Sequence, residues 1–179
     1  MKYLIVIDMQ KDFVTGVLGT PEARAILPGV IARIEAARAN GETVLYTLDT
    51  HESNYMDTRE GRFLPVPHCI RNTEGWLPED GVLEALEDTL GFEKPTFGSP
   101  ELADWLAGNA ATEDGSDMTV ELIGVCTDIC VVSNAMLIKA YLPEAEVIVN
   151  ASLCAGVTPE SHAAALTTMK MCQIVVKNA

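Results

Sequence analysis

Four groups of residues have types and spacing that could do chemistry. Asp8 ends an apolar run in Ile7-Asp8-Met9-Gln10-Lys11-Asp12-Phe13. A carboxylate at a strand end is half desolvated, which raises its pKa and suits it to proton transfer. A helix N-cap or turn acid could occupy the same place. Asp12 reads as a loop or cap acid. Cys130 lies in Gly124-Val125-Cys126-Thr127-Asp128-Ile129-Cys130. A strand runs into Gly124 and a helix begins near Asp128, so Cys130 falls in a first helical turn. There the helix dipole and free N–H groups lower a thiol pKa and bind an oxyanion. A buried, inert thiol is the alternative. Cys126 is four residues earlier, which is not the C-x-x-C spacing of a redox pair. Cys69, Cys154 and Cys172 read as packing.

Lys94 stands between Phe92 and Phe97. A buried ammonium needs a negative partner, which a carboxylate and a thiolate would supply. An exposed surface lysine is the other reading. The fourth group is Asp49, His51 and His68. Asp49 and His51 are two apart, so on an extended segment they share a face. His68 returns from the far end of a long loop, and only three histidines occur in the chain. Two imidazoles and one carboxylate with open positions suit a catalytic divalent metal, with Zn, Fe or Mn each tolerable. Asp57 and Glu60 could add a ligand or an outer contact. A polar loop capping helix ends is the plain alternative. His162, at the start of the last helix, reads as a surface or packing histidine.

These residues need a scaffold, and the sequence supplies a rhythm of short apolar runs and amphipathic stretches. Strands are expected at Lys2–Ile7, Thr43–Leu48, Val120–Val125, Glu146–Val149 and Gln173–Lys177. Helices are expected at Val30–Ala39, Val82–Leu90, Glu101–Leu106, Ile129–Tyr141 and from Pro159, which suits a first helical turn. Continuous rather than alternating apolar runs mark strands buried on both faces. The fold class is therefore α/β, a mainly parallel sheet between two helical layers. Asn109–Asp117 is a polar surface loop. Residues 50–79 form a long segment with little periodicity, and such segments are often functional. In an open α/β sheet the ligand crevice lies beyond the carboxyl ends of the strands, where these candidates fall.

With 179 residues and 48% hydrophobic content, the chain fits one domain, residues 1–179. A chain of this size buries about 70% of its unfolded surface and needs no staples. The 12 basic and 26 acidic residues leave a net charge of −14. That sign repels phosphate backbones and anionic lipid, so nucleic acid and membrane are not expected partners. No run approaches the ~18–20 apolar residues of a membrane span. The acid at position 8 comes too early for a signal peptide. Five cysteines without such a signal point to reduced thiols in the cytoplasm.

Taken in order, Asp8-x-Gln10-x-Asp12-Phe13, Asp49-x-His51, His68, Lys94 and Gly124-Val125-Cys126-Thr127-Asp128-Ile129-Cys130 resemble the isochorismatase-like cysteine hydrolases, and among them the nicotinamidase branch. The resemblance spans nearly the whole chain. It implies a three-layer fold with a six-stranded parallel sheet and a triad of Asp8, Lys94 and Cys130. It also implies a metal on Asp49, His51 and His68. A cis Val125–Cys126 peptide follows from the same source, with the backbone N–H groups of Cys126 and Cys130 as oxyanion hole. Position 65 is proline where some nicotinamidases carry an aromatic residue. Phe13, Phe63, Trp76 and Val125 are the expected pocket walls instead.

The reaction so implied is hydrolysis of a small, nicotinamide-like carboxamide to acid and ammonia through a Cys130 thioester. A ureido or carbamoyl amide is the alternative substrate, and relatives of that kind tend to lack the metal trio. A non-catalytic metal- or ligand-binding domain on the same fold is the alternative class. Family members are often dimers or tetramers, so a homo-oligomer is expected.

Overall fold

The computed structural model describes residues 1–179. Six strands form one sheet in the order β3-β2-β1-β4-β5-β6, every neighbouring pair parallel. They are β1 (Lys2–Ile7), β2 (Thr43–Asp49), β3 (Leu90–Lys94), β4 (Thr119–Val125), β5 (Glu146–Ala155) and β6 (Val175–Lys177). Between them run α1 (Lys11–Val14), α2 (Pro21–Ala39), α3 (Arg59–Phe63), α4 (Asp80–Ala85), α5 (Pro100–Asn109), α6 (Val132–Tyr141) and α7 (Pro159–Met171). None is long and apolar enough to cross a membrane.

Side chains alternate across a strand, and β1 shows what that means at the centre of a sheet. Tyr3, Ile5 and Ile7 pack with residues of α5, α6 and α7, whereas Leu4 and Val6 pack with α2 and α4. Both faces of β1 are therefore core, which is why its sequence is a continuous apolar run. The chain adds strands outward from β1 in one direction, then restarts at β4 on the other side. That makes the β1/β4 seam the topological switch point, and the crevice opens beyond its carboxyl end.

Several expected boundaries move. The helix placed at Val82–Leu90 is α4 alone, and the chain turns at Asp88 into β3. Leu83, Leu86 and Leu90 repeat at helical spacing, but only Leu86 is buried. The strand was hidden because β3 is an edge strand whose burial alternates over five residues. The helix expected from Val30 starts at Pro21, where Thr20 Oγ1 accepts the Ala23 N–H at 3.0 Å. Pro28 inside it masks the earlier turns. β5 continues to Ala155 past a register shift between Leu122 and Gly124 on β4. The long segment of residues 50–79 is not structureless. It holds α3 and single turns at Tyr55–Asp57 and Glu74–Trp76.

Candidate active site

β1 delivers Asp8 to the crevice in a left-handed conformation, φ 47°. Such a backbone costs a non-glycine residue roughly 1–3 kcal/mol. The turn is closed by Gln10 N–H donating to the Asp8 carbonyl at 2.7 Å. β2 lies beside β1, and Thr47 Oγ1 donates to Asp8 Oδ1 at 2.6 Å. β3 lies beyond β2, with Asp49 and Lys94 as cross-strand partners. Lys94 Nζ thereby reaches Asp8 Oδ2 at 2.7 Å, Asp49 Oδ1 at 3.4 Å and Cys130 Sγ at 3.4 Å. The approach to Asp8 Oδ2 is a close ion pair between two fully buried side chains.

At the end of β4, Gly124 adopts φ 118°, and a Cβ there would meet the Ile7 carbonyl oxygen at 2.1 Å. Only glycine lets β4 pass this close to β1. The Val125–Cys126 peptide is cis. Cys130 does not sit in the first turn of an α-helix, as the sequence reading expects. It sits in a widened, π-type turn over Thr127–Val131 that precedes α6. Single π-type turns are frequent at functional sites. Here the Cys126 carbonyl accepts the N–H groups of both Ile129 and Val131.

The protonation pattern follows from burial. Burial pushes the Cys130 thiol well above its ordinary value, the Asp8 charge adds to this, and Lys94 only partly offsets it. Burial likewise raises Asp8 against the pull of Lys94. Burial disfavours the Lys94 ammonium, yet Asp8, Cys130 and Asp49 more than compensate and hold it charged. A protonated thiol, a carboxylate of raised pKa and a fixed cation therefore meet at one point. Burial raises Cys126 as well, to about 12, with Asp128 adding to it.

The loop brings up the second cluster. His51 N–H donates to the Cys69 carbonyl and Arg71 N–H to the His51 carbonyl, so the two ends of the loop run alongside each other. Cys69 N–H donates to Asp12 Oδ2 at 2.8 Å, which gives Asp12 a purely structural task. Asp49, His51 and His68 place their ligand atoms within 4.8 Å of one another. His68 Nδ1 lies 2.8 Å from the Val66 carbonyl, which places a proton there and leaves Nε2 facing Asp49 Oδ2 at 3.6 Å. His51 Nε2 is buried 3.0 Å from Asp49 Oδ2, without a directed hydrogen bond. These features fit a divalent cation. Burial alone would raise Asp49, but His51, His68 and Lys94 outweigh it and keep the carboxylate ionised. Burial would lower His68, and its contacts with Asp49 and Val66 reverse that.

Glu60 borders the cluster, with Oε1 at 3.7 Å from His51 Nε2 and 4.0 Å from His68 Nε2. Asp57 does not join it. Its side chain is exposed and makes no hydrogen bond, while its backbone carbonyl accepts from Arg62. The one-turn helix at Tyr55–Asp57 buries Tyr55 against the histidine rings and turns Asp57 outward.

A cavity of about 290 Å³ joins the two clusters. Phe13, Leu18, Phe63, Leu64, Phe97, Ile129 and Val157 wall it, with Cys126, Cys130, Asp49, Glu60 and His68 among the polar and thiol groups it reaches. Phe13 and Phe63 are thus where the sequence reading puts them. Trp76 and Val125 are not in the wall. Trp76 Nε1 donates to Thr50 Oγ1 at 2.9 Å, which ties the loop to β2. Val125 is buried in the core on the α2 side of the sheet.

Three residues the sequence reading gave no role hold the site together. Gln10 is fully buried and clamps the backbone of Asp49 from both sides, accepting its N–H at 2.8 Å and donating to its carbonyl at 2.9 Å. Its Nε2 also donates to the Trp76 carbonyl. Asn134 on α6 donates to the carbonyls of Cys130 and Phe97 and accepts the Ser99 N–H. Thr47 orients Asp8. A polar residue inside an apolar stretch was the available signal for Thr47 and Asn134. His162, expected to be a surface or packing residue, places Nδ1 2.8 Å from Thr127 Oγ1 in the turn that carries Cys130.

An α/β fold with this constellation at its switch point defines a class of hydrolase. The chain belongs to the isochorismatase family, whose domain matches residues 2–179. It is 30% identical over 176 residues to an isochorismatase family protein, PncA, of Bacillus subtilis, covering 93% of this chain and 92% of that one. It is 29% identical to an Arabidopsis thaliana protein named as a probable inactive nicotinamidase, covering 93% and 87%. Among solved structures, the pyrazinamidase of Pyrococcus horikoshii in complex with zinc superposes with a TM-score of 0.81 at 31% identity, covering 98% and 97%.

Proposed function

We propose that this hydrolase cleaves a small carboxamide of the nicotinamide type to the acid and ammonia through a thioester on Cys130. The observation that carries this reading is the single buried ammonium of Lys94 touching Asp8, Asp49 and Cys130, the last two of which line an apolar cavity. Asp8 takes the proton from Cys130 Sγ as the sulfur adds to the amide carbonyl carbon. Its raised pKa narrows the gap to the thiol and makes it an effective base. Lys94 stays charged and balances the anion wherever it resides. The backbone N–H groups of Cys126 and Cys130 receive the oxyanion. Asp8 returns the proton to the departing nitrogen, and ammonia leaves as the C–N bond breaks. Water then adds to the thioester, Asp8 accepting its proton, and the Cys130 thiolate leaves and is reprotonated by Asp8.

Asp49, His51 and His68 would hold the divalent metal, with Glu60 beside them, and the zinc of the Pyrococcus pyrazinamidase supports zinc here. When bound, that ion supplies an electrophilic anchor for a substrate nitrogen or an ordered water. The chemistry needs Cys130 as a free thiol, and all five cysteines are unpaired, which accords with a cytoplasmic setting.

The test is ammonia release from nicotinamide by metal-replete protein, with Cys130→Ala as control. Release that disappears in the variant supports the reading. Full activity in the variant overturns the thioester. No release from the unaltered protein moves the substrate to ureido or carbamoyl amides.

A further inference from the structure

The catalytic cavity does not end at Phe63 and Phe97. On their far side lies a second chamber of about 400 Å³, lined by Arg59, Glu60, Phe63, Pro95, Thr96 and Phe97. Glu60, Phe63 and Phe97 line both spaces, so the two adjoin. The two chambers differ in charge. In the inner one the only cation within reach is Lys94, which is buried and consumed by Asp8, Asp49 and Cys130. An anionic group on a substrate finds no partner there. The outer chamber has Arg59.

The guanidinium of Arg59 lies 5.3 Å from the centre of the Phe63 ring. That is within the ~6 Å reach of a cation–π contact. Arg59 is otherwise exposed to solvent. Arg59 makes no ion pair, although its sequence neighbour Glu60 is acidic. The Glu60 carboxylate is turned the other way, toward His51 and His68. In a chain with 12 basic and 26 acidic residues, this is a cation held at a cavity mouth without a carboxylate on it. A planar fork of N–H donors matches a carboxylate or phosphate in a bidentate pair.

We infer that the outer chamber is a substrate subsite for an anionic oxygen group, a carboxylate or a phosphate, carried on the far end of the amide. The carboxamide head occupies the inner cavity, whose volume of about 290 Å³ suits a single small ring. The chain or ring substituent leaves between Phe63 and Phe97, and its anion pairs with Arg59. The inference rests on the amidase reading for the identity of the head group.

The test compares nicotinamides substituted at ring carbon 5 with a propyl, a carboxyethyl or a phosphonomethyl chain. For each, kcat/KM is measured with the unaltered protein, Arg59→Gln and Arg59→Lys. Binding to Cys130→Ala protein, with and without Arg59→Gln, is measured by calorimetry. The expected result is a preference of about tenfold or more for an anionic chain over propyl, the size of a charge-assisted hydrogen bond. That preference should collapse toward one in Arg59→Gln and recover in part in Arg59→Lys, which keeps the charge but loses the fork. Whether carboxyethyl or phosphonomethyl ranks first identifies the anion. No preference, or a preference that survives Arg59→Gln, overturns the subsite. If no amide is turned over but calorimetry still shows the Arg59-dependent preference, the amidase reading fails and the subsite stands.

Discussion

Asp8, Lys94 and Cys130 come from the ends of β1 and β3 and the turn after β4, and none is more than 5% exposed. The metal cluster beside them has mixed parentage. Asp49 ends β2, but His68 and Glu60 arrive on the loop of residues 50–79, where the Glu60 side chain is 25% exposed and Phe63 is 79% exposed. The first group is positioned by the sheet. The second is positioned by side chains such as Asp12, Gln10 and Trp76 that pin a loop to that sheet. Under the proposed reaction, the sheet-borne half would carry the proton chemistry and the loop-borne half the recognition.

The sharpest break in this division is Cys130→Ala. Turnover should fall by roughly 10⁴–10⁶-fold, the range seen when a covalent nucleophile is removed. Metal content, read by elemental analysis, should stay as it was. Coincident loss of metal would mean the two halves are one unit. Lys94→Met comes next. It leaves Asp8 buried beside a thiol with no cation, and breaking a buried pair in this way costs about 3–5 kcal/mol. Urea denaturation should show that loss, whereas a change under 1 kcal/mol would mean Lys94 is not the keystone of the buried cluster.

Gln10→Ala separates the halves from the loop side. It frees the backbone of Asp49 and the Trp76 carbonyl while touching no ligand atom. Outer contacts of metal ligands are worth about 10–100-fold in metal affinity. Competition with a chelator should show a drop of that size, while the rate of Cys130 alkylation changes little. Equal effects on both would contradict the division.

What the sequence disclosed follows the same line. The triad candidates stood where strands run out, and a central parallel strand writes itself as an unbroken apolar run, so Asp8 and Cys130 were legible. Asp49-x-His51 was legible because β2 ends there. Lys94 was singled out by the family resemblance, since Phe92 and Phe97 alone left an exposed lysine open, and its strand was missed because an edge strand of alternating burial looks like the end of a helix. The loop was less readable. Trp76 and Asp57 have the right chemistry for a pocket wall and a ligand. Their orientation depends on single helical turns that leave no periodic signal. Gln10 and Asn134 act through backbone groups far away in sequence, and pattern carries nothing about such contacts.

The smallest predicted effect belongs to a region outside both halves and serves as their control. Arg33 on α2 pairs with Glu121 on β4 at 2.7 Å and with Glu42 at 2.6 Å, and Asn150 donates to Glu121 at 3.0 Å. Burial pushes the Glu121 carboxyl up, but the hydrogen bonds from Arg33 and Asn150 outweigh it and hold the pKa below the ordinary carboxylate value. A depressed folded-state pKa means the unfolded chain binds the proton first as pH falls. The stabilisation from Glu121 is therefore complete above the ordinary carboxylate range and lost as pH drops through the folded value. Unfolding free energy measured between pH 7 and pH 3 should decline less steeply in Glu121→Gln than in the unaltered protein. Turnover of the variant at pH 7 should be unchanged, because the network lies between α2 and the sheet and not in the crevice. An unaltered acid slope would show that the Arg33 pairing is screened by solvent and adds nothing. A loss of turnover would show that the position of β4, and with it the Cys130 turn, depends on its far end.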